Sequence, residues 1–253
     1  AIKNAFTALI PIIITGAFAT LFSNMVFDST NGLAQIDALA FLEELKPIAQ
    51  SINYATMNML TISAVFLIGL EIGNLNKESG YFPGLLAVIS YITVNPTTLE
   101  LLVDDKMRVV ENVLSRNYTD TKGLFLGMFI AIVSVELFTW LGKQDKLNIK
   151  MPDSVPSNVS RSFSVLVPTI LTITMIATAG FAIFRITGMY LYDIIYMVVK
   201  APLENVMQGL PGVLILMFVA QFFWVIGIHW EPNDQTNSRT FVASFYSSEH
   251  RCI

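Results

Sequence analysis

"GLFLGMFIAIVSVELFTWLG", residues 123–142, carries a single ionisable side chain, Glu136. It matches the length of about 20 apolar residues that a helix needs to cross the hydrocarbon core of a bilayer. Its apolar residues are continuous rather than alternating, which excludes a barrel strand and leaves a membrane helix. The rest of the chain supports that solvent. Of 253 residues, 54% are hydrophobic and only 13% charged, about half the charge of an ordinary soluble domain at about 25%.

Working outward, 5–27, 52–70, 164–184 and 210–228 repeat the pattern. The run over 80–98 is weaker, because Pro83 and Pro96 confine its helix to ~12 residues. The expected fold is an all-α polytopic membrane protein with five to six transmembrane helices. An amphipathic helix is expected to lie in the interface over 186–206, where Met189, Ile194, Ile195, Met197 and Val198 stand beside Asp193, Lys200 and Glu204. A short surface helix is an equal reading of that spacing. Between the spans, 95–122 is mixed in charge, with pieces such as "KMRVVENVL" (106–114), and predicts a hairpin or short helix outside the membrane. The connection over 143–163 is rich in Pro and Ser. Lys3, Lys77, Lys143, Lys146, Lys150 and Arg161 fall on one side of this topology. Lys46, Lys106, Arg108, Arg116, Lys122, Arg185 and Lys200 fall on the other, so the loop charges do not set an orientation.

The net charge of −4 gives no basic surface for nucleic acid. Cys252 is the single cysteine, which excludes a disulfide framework, a cysteine metal cluster and a redox pair. The chain has no phosphate-binding loop, dinucleotide glycine pattern, nucleophile elbow or zinc motif, and no cofactor or metal is expected.

Ionisable groups within membrane helices are costly and usually face a cavity or a partner. Glu136 reads as a cavity-facing acceptor for substrate hydroxyls or protons, or as a carboxylate near the interface paired with a basic loop residue. Glu71, at the end of its span, reads as a headgroup-level end cap. His229 follows Gly227 where a span containing Trp224 breaks off. A helix that stops at membrane depth leaves unpaired carbonyls, and such breaks are tolerated where they line a cavity. A neutral imidazole both donates and accepts, which suits a sugar hydroxyl, and Trp224 offers a flat apolar face. A headgroup-boundary histidine beside an interfacial tryptophan explains the same spacing. "MPDSVPSNVSRSF" (151–163) reads as a rigid turn leading into a capped helix, because Pro152 and Pro156 exclude a regular helix there.

The longer stretch "IKMPDSVPSNVSRSFSVLVPTIL" (149–171) closely resembles a segment of membrane permeases of the bacterial sugar phosphotransferase system, the lactose/cellobiose/diacetylchitobiose enzyme IIC family. "AIKNAFTALIPIIITGAF" (1–18) is similar to that family's first span, "VELFTW" (135–140) to its fourth, and "FFWVIGIH" (222–229) to the span leading into its Gly-Ile-His-Gly motif. The resemblance implies a homodimeric, multi-pass permease of the bacterial plasma membrane. Such a subunit takes up a disaccharide such as cellobiose and presents its hydroxyl to a phosphocysteine on a separate cytoplasmic IIB subunit. His229 then corresponds to the family's sugar-binding histidine and Trp224 to an aromatic lying against the sugar. Glu136 lies in a matching segment and is a third candidate substrate-binding residue without an assigned family role.

After His229 the family continues with Gly and further spans, whereas this chain reads "WEPNDQTNSRTFVASFYSSEHRCI" (230–253). Residues 1–229 are therefore expected to be the N-terminal membrane part of an enzyme IIC domain and 230–253 a polar tail foreign to the family. Trp is encoded only by TGG and Glu only by GAA or GAG, so dropping the first base at Trp230 yields GGG, the expected glycine. A frameshift at Trp230 accounts for the tail. Two other classes stay open: a non-catalytic membrane scaffold, and an ion-coupled carrier that uses Glu136 and needs no IIB. Sequencing the locus is expected to show a family-like frame running on from the glycine codon; no such frame downstream would exclude the frameshift.

Overall fold

A computed structural model of the chain describes residues 1–78, 80–103, 106–144, 147, 163–198 and the four positions 212, 214, 217 and 218. The chain divides into two units, 1–197 and 198–253, and the fold described here is that of the first. Among the described residues four helical stretches are long and apolar enough to cross a membrane: Ile2–Val26, Asp37–Leu75, Thr121–Gly142 and Leu166–Thr187. The expected sixth span, 210–228, and the motif over 151–162 fall outside the described residues, apart from those four positions.

α1 (Ile2–Leu21) is 20 residues long, which at 1.5 Å per residue is about 30 Å, the thickness of the hydrocarbon core. It buries only Ala5, Leu9, Gly16 and Ala19. Three of these are small, so α1 approaches its neighbours closely along one narrow stripe. At Gly16 an added Cβ would stand 2.6 Å from the Thr56 hydroxyl. The helix then widens into a π turn over Phe22–Val26.

The stretch Asp37–Leu75 corrects the sequence expectation. The predicted single span over 52–70 is two helices, α2 (Lys46–Thr56) and α3 (Leu60–Leu75), preceded by 3₁₀ turns over Asp37–Leu45. The cause is local. The Asn53 carbonyl accepts from the backbone N–H of both Met57, at 2.8 Å, and Asn58, at 3.4 Å, which widens the ladder and ends it. Thr56 Oγ1 also bonds back to Ile52 O at 2.7 Å, and such side chains compete with the helix for backbone partners.

α3 is the hub, burying residues on several faces from Leu60 to Gly73. Gly69 and Gly73 on α3 receive Pro83, Gly84 and Ala87 of α4 (Phe82–Val94). A Cβ at Gly69 would meet the Ala87 methyl at 2.6 Å and the Pro83 carbonyl at 2.9 Å. On another side Gly127 of α6 (Leu124–Gly142) is close to α3, its added Cβ 2.7 Å from Val65 Cγ2. α4 has 13 residues, agrees with the length its prolines predict, and spans only about 20 Å. Pro83 sits in its first turn, where the missing N–H costs no bond. It stops at Asn95, whose side-chain amide donates to Tyr91 O at 2.7 Å just before Pro96.

The connection over 95–122 holds both predicted elements. β1 (Thr98–Val103) pairs antiparallel with β2 (Lys106–Glu111), Thr98 opposite Glu111 and Val103 opposite Lys106. One helical turn, α5 (Arg116–Thr119), follows and is capped by the Ser115 hydroxyl. The Tyr91 phenol donates to Tyr118 O at 2.6 Å, and the buried Thr61 hydroxyl donates to Asp120 O. The loop is thereby latched onto the ends of α3 and α4.

α7 (Leu166–Thr187) carries Pro168, buried, near its start and ends at Gly188, whose φ of 71° suits a left-handed helix stop. A further helix over 191–198 falls within the predicted interfacial segment. Its Tyr192 meets Tyr118 edge-on at 4.8 Å and stacks on Tyr196 at 5.9 Å. Burial, then the neighbouring Tyr196 and Asp120, pushes the Tyr192 phenol up to about 12, and burial also raises Tyr118.

Two outcomes follow from this packing. Gly69→Val forces α4 off α3 and is expected to destabilise the chain in detergent by about 1–3 kcal/mol. Gly142→Ala, where among the described residues no atom beyond its own turn of helix lies within 4 Å of the new Cβ, should leave the unfolding midpoint unchanged. Because the folded phenol of Tyr192 ionises later than a free tyrosine at 10.0, its contribution is complete below about pH 10 and is lost as pH rises towards 12. Tyrosinate absorbance should show a late component that Tyr192→Phe reduces by one phenol, with near-UV dichroism of the native chain fading over the same window.

Candidate functional site

The helices alternate in direction, so the bundle has two ends, and polar side chains gather at each. At the end where α3 and α6 finish, Asn76 donates from Nδ2 to Glu136 Oε1 at 3.1 Å and to Thr139 Oγ1 at 3.3 Å. Nearby on α3, Glu71 accepts from Asn4 Nδ2 of α1 at 3.2 Å. Glu136 is exposed on α6 and, among the described residues, pairs with an amide rather than with a lysine or arginine. Among the described residues no cation offsets that carboxylate, and its second oxygen can accept from a hydroxyl.

At the opposite end, the close of α1, the C-terminal part of α2 and the turn before α3 line an open cavity of about 320 Å³. Thr20, Ser23 and Asn24 line it from α1 and the π turn. Gln50, Asn53, Tyr54 and Asn58 line it from α2 and the turn beyond. Two local features build it. The π turn turns Ser23 and Asn24 out of an ordinary helical course, a distortion common at functional sites, and the break after Thr56 brings Asn58 round to the same space. One strut crosses the cavity: Asn53 Nδ2 donates to the Thr20 hydroxyl, which donates to Gly16 O at 2.9 Å. Ser23 and Asn58 are only 8% and 7% exposed, yet neither side chain has a hydrogen-bond partner among the described residues. Their polar atoms remain accessible from the cavity, since the fully buried side-chain atoms without a partner among the described residues are Ser90 Oγ and Asn95 Oδ1.

The loop beside this cavity is held by Lys46 Nζ on Asp28 Oδ2 at 2.8 Å. That ammonium, then the Thr30 hydroxyl and the backbone N–H groups of Thr30 and Asn31, hold the Asp28 carboxyl well below the usual carboxylate range. The pair is therefore internally neutral and contributes no net charge to the cavity mouth.

Of the residues singled out in the sequence, Glu136 and Glu71 are placed as above, on one end of the bundle. His229 and Trp224 lie outside the described residues. The cavity residues were not singled out, because reading 52–70 as one membrane helix hides the break that gathers them; the amide-rich run "QSINYATMN" (50–58) was the available signal. No group of three or more His, Cys, Asp or Glu able to hold a metal occurs among the described residues.

A profile of the family described as "Phosphotransferase system, EIIC" matches residues 3–230. The chain is 28% identical over 228 residues to the oligo-beta-mannoside-specific EIIC component of the Bacillus subtilis phosphotransferase system, covering 90% of this chain and 50% of that protein. It is 25% identical over 232 residues to the lichenan permease IIC component of the same organism, again 90% of this chain and 50% of the relative. Against the cellobiose-specific EIIC component of Geobacillus stearothermophilus it is 22% identical over 177 residues, 69% of this chain and 39% of that protein. The fold is similar to the crystal structure of the transporter ChbC, the IIC component from the N,N'-diacetylchitobiose-specific phosphotransferase system. The TM-score is 0.73 at 24% identity, over 90% of this chain and 52% of that one. The chain thus spans about half the length of the relatives it matches most fully. With apolar helices packed as a polytopic bundle and a profile match over nearly its whole length, the chain is a helical membrane protein that belongs to the EIIC family of the phosphotransferase system.

Proposed function

We propose that the chain is the N-terminal membrane part of a sugar permease of the bacterial plasma membrane, serving phosphorylation-coupled uptake of a β-linked disaccharide of the cellobiose type. The observation that carries this reading is the profile match over residues 3–230. Relatives named for oligo-beta-mannoside, lichenan and cellobiose support the substrate class. The partner is a phosphorylated cytoplasmic IIB subunit, and the assembly is a homodimer in the bilayer. His229 hydrogen-bonds a sugar hydroxyl and Trp224 lies against a ring. The hydroxyl oxygen attacks the phosphorus of the IIB phosphocysteine, and the S–P bond breaks with the electron pair leaving on the IIB cysteine sulfur. The hydroxyl proton is lost to that thiolate or to water, and the sugar leaves on the inner side as its phosphate. We place the boundary of the family part at His229/Trp230, which the extent of the profile match supports.

A second reading, a non-catalytic membrane scaffold, is favoured by one observation. The closely packed hub of α3, α4 and α6, joined by Ala5 and Leu9 of α1 and Ile176 of α7, forms one core among the described residues. A carrier that couples an ion through Glu136 is distinguished from both by uptake that persists without phosphotransfer proteins.

Cellobiose added to the purified chain carrying Trp140→Phe and Trp230→Phe is expected to give a saturable change in Trp224 fluorescence, weakened at least tenfold by His229→Ala. An unchanged response in the histidine variant would remove His229 from the site. In proteoliposomes with phosphorylated IIB, the sugar should appear inside only as its phosphate; accumulation of unmodified sugar would refute phosphorylation-coupled uptake.

A further inference from the structure

The cavity at the α1–α2 end has a chemistry that the uptake reading does not use. Its lining holds four amides, two hydroxyls and one phenol, and no lysine, arginine, aspartate or glutamate. Divalent cations are held largely by carboxylates, and anions by guanidinium, ammonium or a helix start; the lining has none of these, and its carbonyl oxygens are those of neutral amides. An acyl chain calls for walls of aliphatic side chains, and the lining holds no Leu, Ile, Val, Met or Phe; its apolar surface is that of Tyr54, the Thr20 methyl and the stems of the amides. What the groups do match is a neutral molecule dense in hydroxyls. Each amide presents a donor and an acceptor side by side, the complement of two adjacent hydroxyls, each of which also donates and accepts. Tyr54 offers a flat face for the apolar side of a ring. The volume of about 320 Å³ is at the lower end of the range for small-molecule pockets, roughly 300–1,000 Å³.

Two observations beyond the lining composition point to a ligand. Ser23 and Asn58 are more than nine-tenths buried and line the cavity without a protein partner, so their hydrogen bonds are left for what enters it. The Asn53–Thr20 strut also preorganises the walls, holding α1 to α2 across the site.

We propose that this cavity binds one ring of a neutral saccharide, at the end of the bundle opposite Glu136 and on residues other than His229. The ring belongs either to a free sugar or to the headgroup of a glycolipid, which present the same hydroxyl chemistry. The proposal stands independently of whether the chain transports sugar.

The test uses the full chain in phosphatidylcholine nanodiscs and a photoreactive alkyl β-glucoside, with labelled peptides located by mass spectrometry. Labelling is expected within 20–24 and 50–58, to be competed by cellobiose or glucose if the source is a free sugar, and only by glucosyl-diacylglycerol in the disc if it is a headgroup. Asn58→Leu and Ser23→Val should each reduce that labelling at least tenfold while leaving the unfolding midpoint of the unliganded chain unchanged, since neither side chain has a protein hydrogen bond to lose. A purely structural role predicts the reverse: a lowered midpoint with labelling intact. His229→Ala should leave labelling of these peptides within twofold, and its loss in that variant would assign the signal to the other site. Absence of labelling in both segments, or full labelling of Asn58→Leu, would overturn the proposal.

Discussion

Everything else in the bundle depends on how closely α3 lets its neighbours approach. Between helices in lipid there is no hydrophobic driving force, because the acyl chains are as apolar as the side chains; association depends on close contact and on shared polar bonds. α3 supplies that contact with Gly69 and Gly73 under Pro83, Gly84 and Ala87, and with Val65 beside Gly127. These contacts fix α4, which is too short to cross the membrane alone, and α6, which carries Glu136. Through α4 they also place Tyr91, the post on which the 95–122 loop is hung.

The polar groups follow from the same arrangement. Because the helices alternate, the ends of α3 and α6 deliver Asn76, Glu136 and Glu71 to one level, while the finish of α1 and the broken start of α3 deliver the amides to the other. The two clusters differ in kind. One contains carboxylates with amide partners; the other is uncharged, and its nearest ion pair, Asp28 with Lys46, is closed on itself. A single bundle thereby offers two chemically distinct ends without placing an unpartnered lysine or arginine in its described core.

The long elements were legible in the sequence because they obey one rule. α1 together with its π turn, α6 and α7 are uninterrupted apolar runs, and their bounds differ from expectation by a few residues at most. α4 was legible for another reason, since Pro83 and Pro96 limit it from both sides. The second span was misread, because hydropathy does not record that the Asn53 carbonyl takes two N–H donors and ends a helix. The cavity was lost with it: its residues come from two segments about 30 positions apart and meet only through the π turn, which no pattern of residue types announced. Glycine spacing in α3 is visible in the chain, but spacing alone does not say that a proline of the next helix fills it. The resemblance that named His229 and Trp224 came from motifs rather than packing, and those residues lie beyond the part of the fold described here.

The latch on the 95–122 loop reads only main chain: the Tyr91 phenol takes the carbonyl of Tyr118 and the Thr61 hydroxyl takes that of Asp120. A carbonyl is supplied by any amino acid, so these two bonds make no demand on the identity of what they hold, and side-chain anchoring is left to Tyr118 on Tyr192. Between Asn95 and Ser115 the hairpin can lengthen, shorten or change its surface without unseating its base. The bundle thus carries a site of evolutionary latitude on one membrane face, where a new recognition surface can be grafted while the helices beneath stay as they are.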